Sequence, residues 1–141
     1  MILLFSLILA TTTLSFSQKK DFTKIKKLMQ IQTESWNRGD IDGFMETYWK
    51  SEKLQFIGSK GVTYGWTNTL NRYKKSYPNK DAMGILSFDI INMDKRSRKV
   101  ISVVGKWQLK RKDDLGDLEG HFLLILKKIK RKWVIVADHS S

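Results

Sequence analysis

Apolar residues recur every three to four positions through the first part of the chain and every second position through the last. Phe22, Ile25, Met29, Gln32 and Trp36, widened by Leu28, fall on one stripe, which predicts an amphipathic helix. The stripe breaks at NRGD: Gly39 suits a left-handed helix end, and Asp40 suits the N-cap of a second helix. That helix carries Ile41, Phe44, Met45 and Tyr48 on one side. A strand from Leu54 (LQFIG), a turn (GSKG) and a short strand (VTYG) follow. WTNTLNRYKKSYP then predicts a third helix, with Leu70, Tyr73 and Tyr77 at helical spacing and Pro78, the only proline, closing it.

After Pro78 the period becomes two. Residues 83–93, 99–112, 118–128 and 132–140 predict long strands joined by the short polar links DKRSR, DDLGD and IKRK. Such short links make consecutive strands antiparallel. Helices gathered early against one antiparallel sheet define an α+β domain.

The strand pattern also predicts a register. A two-residue turn at Lys130-Arg131 places His139 opposite Phe122. A loop flanked by Lys112 and Asp117 places Trp107 opposite Phe122. One face then holds Trp107, Phe122 and His139 in a row, with Val103, Leu109, Leu124, Leu126, Ile135 and Ala137. It is the more apolar face and is expected to lie beneath the helices. The other mixes Lys106, His121 and Asp138 with Leu123, Ile125, Val134 and Val136, a combination that suits a homodimer surface with a wet rim.

Composition changes the picture at the N-terminus. MILLFSLILATTTLSFSQKK carries no charge before Lys19, and Ile2 to Ala10 is a short apolar run. With the small residues Ser15 and Ser17 ahead of Gln18, this predicts a signal peptide over residues 1–17, a mature domain over 18–141, and an exported protein, periplasmic or secreted. No later segment is apolar for long enough to span a membrane. The absence of cysteine excludes disulfides, thiol chemistry and thiolate metal sites. The net charge of +12 clusters on the first helix and at two hairpin turns. No recognition-helix, zinc or RNA-binding pattern accompanies it, so the expectation is no nucleic acid but loose association with anionic surfaces.

WNRGDIDGFMETYWKSEKLQFIG, TYGWTNTLNRYKKSYP and GHFLLILKKIKRKWVIVADHSS together resemble the SnoaL-like branch of the nuclear transport factor 2-like superfamily. The resemblance runs from Asp21 to Ser141. It implies a cone, a strongly curved sheet wrapped around three helices with an apolar cavity open at one end, and often a homodimer. Relatives of this kind include ketosteroid isomerases, polyketide cyclases, dehydratases, a kinase association domain and non-catalytic transport factors, so the fold does not fix the activity. The isomerases' carboxylate base and its Tyr–Asp oxyanion partners find no position-by-position match here.

Within such a cavity the sequence offers few chemical groups. Two histidines and no cysteine make a poor zinc site, and DDLGDLE lacks calcium-loop spacing, so no metal or other cofactor is expected. Ser140, His139 and Asp138 are strand neighbours that point to alternating faces, which gives no triad. The register places His139 inward, as either an acid–base residue or a structural hydrogen-bonding group, and Asp138 outward. Tyr48, Tyr64 and Tyr73 are candidates to orient a ligand, with Trp107 and Phe122 lining the cavity. Arg72 is expected on the surface. The reading is a domain binding a small, largely apolar molecule, as a cofactor-free isomerase, cyclase or dehydratase or as a non-catalytic binding or assembly module.

Overall fold

A computed structural model describes the backbone of residues 2–141 and the side chains of residues 15–141. Helix α1 (Ile2–Asn37) is followed by α2 (Ile41–Met45), β1 (Gln55–Gly58), β2 (Gly61–Tyr64), α3 (Trp66–Ser76), α4 (Lys80–Met83), β3 (Ile85–Ser97), β4 (Val100–Lys110), β5 (Leu118–Ile129) and β6 (Lys132–Ser140). Most of the expected leader's side chains, up to residue 14, lie outside the described residues, and its backbone from Ile2 is continuous with α1.

Local chemistry accounts for the helix ends. Gly39 adopts φ +86, and the Asp40 N–H reaches back to the Ser35 carbonyl at 2.9 Å, which closes α1. The Asp40 carboxylate then accepts from the Gly43 N–H at 2.7 Å and starts α2. The sequence pattern missed α4, a single turn capped by Asn79, whose side chain accepts from the Ala82 N–H. Asn37 ties α1 to the sheet, donating to the Leu86 carbonyl at 3.1 Å and accepting its N–H at 2.7 Å.

The six strands form one sheet in the order β2-β1-β6-β5-β4-β3, antiparallel except for the parallel pair β1–β6. The core lies between α1–α3 and one face of this curved sheet. Ile25, Met45, Leu54, Ile101, Val103, Leu126 and Ile135 are all fully buried there. Bulges fall in β3 after Ile90 and after Lys95, and in β6 between Ile135 and Ala137. Each adds local twist and bends the sheet around the helices.

The β6 bulge corrects the expected register. The tight turn forms as expected, with Lys130 and Arg131 both at positive φ and Ile129 paired with Lys132. The pairing holds as far as Leu126 opposite Ile135. Val136 is then the extra residue, and the pairs become Leu124–Asp138, Leu123–His139 and Phe122–Ser140. One inserted residue exchanges the two faces beyond it, so Asp138 points into the domain and His139 points out. The β4–β5 pairing also differs, with Gly105 opposite Phe122 and Trp107 opposite Gly120. The loop is longer than expected because Arg111 organises it, its guanidinium donating to the Gly116 and Leu115 carbonyls and its backbone N–H to the Asp117 carboxylate. A slip of two residues preserves the face, so Trp107 and Phe122 remain on the concave side.

Candidate functional site

The concave face and the helices enclose an open cavity of about 860 Å³. Its apolar wall includes Phe88, Leu118, Phe122 and Leu124. An aromatic cluster closes the helix side. Trp36 meets Phe44, Tyr73 and Tyr77 edge-on, with ring centroids 5.1, 5.9 and 4.9 Å apart. Such pairs hold their rings in fixed mutual orientation, and the Trp36 indole is further held by the Met83 carbonyl at 3.1 Å.

On the sheet side of the cavity stands Asp138, which is 3% exposed. The Tyr48 hydroxyl donates to its carboxyl at 2.6 Å and the Ser140 hydroxyl at 2.7 Å. Tyr48 is held from both sides by a parallel bridge to Ile135 and by its ring against Phe44. Burial raises the Asp138 pKa above the ordinary 3.8, against the opposing pull of the Tyr48 and Ser140 hydrogen bonds and of His139. Burial first, and the Asp138 charge second, push the Tyr48 and Tyr73 phenols well above 10. The arrangement is a carboxyl kept toward its neutral form, able to give a proton or, once ionised, to take one.

Two polar atoms on residues lining the cavity, one on α1 and one on β4, lack partners. Among the described residues, Gln32 Oε1 and Trp107 Nε1 are the buried side-chain nitrogen or oxygen atoms without a hydrogen bond, and both residues line the cavity. An orphaned acceptor and an orphaned donor are costly unless something else meets them.

The expected site residues separate. Tyr48, Tyr73, Trp107 and Phe122 all line the cavity. Tyr64 does not. It pairs with the exposed Gln55 on β1 and is 58% exposed, because the inward face of β2 belongs to Thr63. His139 is exposed, since the bulge turns it outward. Arg72, expected on the surface, is half-buried at the cavity wall, with its guanidinium carbon 4.9 Å from the centre of the Phe56 ring. Asp138, Ser140 and Gln32 were missed as site residues. Gln32 left a signal, since it interrupts an otherwise apolar stripe. Among the described residues no group of three or more His, Asp or Glu side chains is placed to hold a metal ion, and no helix is long and apolar enough to cross a membrane.

No protein-family model matches the chain, and no curated protein matches it. Solved structures do. A nuclear transport factor 2-like protein of unknown function from Shewanella oneidensis is 41% identical, with 86% of this chain and 98% of that chain covered and a TM-score of 0.81. A nuclear transport factor 2-like superfamily protein from Salmonella enterica is 16% identical over 92% of both chains, with a TM-score of 0.64. A ketosteroid isomerase-like protein from Erwinia carotovora is 15% identical over 84% of this chain and 93% of that one, with a TM-score of 0.65. At such identities the last two share the fold alone.

Proposed function

The chain belongs to the nuclear transport factor 2-like family, and on that premise we propose that it is an exported domain that binds a small, largely apolar molecule and addresses it with the Asp138 carboxyl. The observation that carries this reading is the composition of the wall. A buried carboxyl with no cationic partner among the described residues lines an apolar cavity whose wall also carries an orphaned acceptor on Gln32 and an orphaned donor on Trp107. A bound molecule that brings a donor to Gln32 and an acceptor to Trp107 would satisfy both orphans, and burial would strengthen each contact. Tyr48 fixes the carboxyl, and the fixed carboxyl can move a proton to or from the ligand without a cofactor, as an isomerase, cyclase or dehydratase requires. Export is supported by the apolar run from Ile2 to Ala10 and the small residues before Gln18.

A second reading, assembly through the outer sheet face, is favoured by Val104 and Leu123, which pair across β4–β5 and remain 36% and 41% exposed beside His139. The basic hairpin ends, with Lys95, Lys99, Lys128 and Lys130 around one cleft, are the part suited to an anionic surface.

Native mass spectrometry on the purified chain, with titration by the neutral aromatic amide 2-naphthamide, tests the binding reading. A non-covalent small-molecule adduct, or saturable 2-naphthamide binding weakened severalfold by Asp138→Asn, is the expected result. A bare chain that also ignores millimolar 2-naphthamide would overturn it.

A further inference from the structure

Arg72 makes the ligand class more specific. One row of side chains crosses the concave face through paired positions: Thr63 on β2, Phe56 on β1, Asp138 on β6 and Leu124 on β5. Arg72, from α3, lies over the first two members of that row. Its guanidinium sits over the Phe56 ring and donates to the Thr63 hydroxyl at 2.9 Å. Gly58 leaves the space it occupies, because a Cβ there would stand 2.6 Å from the second terminal nitrogen of Arg72. Ring, hydroxyl and missing side chain together fix the orientation of a long and otherwise mobile group.

That fixed cation has no anion. Among the described residues no carboxylate lies within ion-pair reach of Arg72, whereas Arg38 and Arg96 each pair with an aspartate. The Thr63 contact uses one of the five N–H bonds of a guanidinium, and the planar fork matches a carboxylate with two parallel hydrogen bonds. Asp138 is not that partner: it forms no ion pair with Arg72, and its two carboxyl oxygens are taken by the Tyr48 and Ser140 hydroxyls.

Resting on the reading of the cavity as a small-molecule site, we infer that the ligand is an apolar carboxylic acid, whose carboxylate is held by Arg72 while its apolar body lies over Phe56 toward Asp138. The two ends divide the work. Arg72 selects for the negative charge, and the apolar wall toward Asp138 receives the body of the molecule.

The test compares 2-naphthoate with 2-naphthamide, which share a shape and differ in charge, by isothermal titration calorimetry on the full chain. The expected result is at least tenfold tighter binding of the carboxylate, falling as salt is added. Arg72→Met should abolish the preference, read as the ratio of the two probes' affinities in the same variant. Arg72→Lys should retain part of it, and replacing the exposed Lys60 and Lys75 with alanine should retain most. Equal binding of the two probes by the wild-type chain overturns the inference while the cavity reading stands. Survival of the full preference in Arg72→Met, or its transfer to the Lys60/Lys75 variant, also overturns it. Should Arg72→Met fail to fold, the wild-type preference, its salt dependence and Arg72→Lys decide the matter.

Discussion

Asp21 and Asp138 are both buried aspartates, 5% and 3% exposed, and β6 touches both of them, about 17 Å apart along its length. Their surroundings could hardly differ more. Asp21 receives Lys95 at 2.7 Å and the Trp133 indole N–H at 3.2 Å, with Lys128 at 3.7 Å. Asp138 receives only two hydroxyls and opens on the cavity. Burial raises both pKa values, but at Asp21 the contacts with Lys95, Trp133 and Lys128 outweigh it and the net shift is downward. At Asp138 burial wins and the net shift is upward. The first is a charge neutralised by its neighbours, which stabilises the packing of α1 on the hairpin ends. The second is a polar group left for something outside the chain to use.

The largest expected effect breaks the first half of the comparison. Asp21→Ala leaves Lys95 and Lys128 without their carboxylate in a cleft lined by further cations and should cost about 2 kcal/mol in urea unfolding at pH 7, less than a fully buried pair because Lys128 can rehydrate. A lowered folded pKa contributes stability above the unfolded value of 3.8 and loses it as pH falls through the folded value. The gap between wild type and variant should therefore stay constant down to about pH 4 and close only below it.

Asp138→Asn should be milder and of opposite pH dependence. A raised folded pKa contributes stability below 3.8 and loses it as pH rises through the folded value. The variant should be less stable by about 1 kcal/mol in acid, where a good hydrogen bond is lost. Its deficit should shrink or reverse as pH rises, because the wild type then buries a charge. A deficit that grows toward alkaline pH would show the carboxylate to be a structural ion like Asp21.

The smallest effect concerns His139, which the alternation of β6 placed inside. Being exposed, His139→Ala should change stability by under about 0.5 kcal/mol and leave 2-naphthamide binding unaltered. Loss of binding in this variant would restore the inward histidine and remove Asp138 from the cavity.

The contrast also shows what the sequence makes legible. The α+β architecture, the helix stop at Gly39, the turn at Lys130-Arg131 and the inward stripe of α1 follow from period and capping chemistry, which act over a few residues. The end of β6 was lost because alternation was carried through Val134-Ile135-Val136-Ala137, where apolar side chains on both faces conceal an inserted residue. A bulge has no such local mark, yet it decides which of two adjacent polar residues meets the cavity. Asp138-x-Ser140 carried a hint, since two residues of one strand share a face and their side chains bond at 2.7 Å. Arg72 was lost differently. Helical spacing gave the inner face of α3 to Tyr73, and nothing local shows that Gly58, distant in sequence, leaves room for a guanidinium.

Carbon-detected NMR titration of the aspartate side-chain carboxyls tests the account most directly. The Asp138 resonance should titrate above 3.8 and the Asp21 resonance below it, and 2-naphthamide should shift Asp138 while leaving Asp21 unmoved. An Asp138 carboxyl that titrates below 3.8, or that fails to respond to a probe bound by the protein, would contradict the claim that this residue is the cavity's working acid.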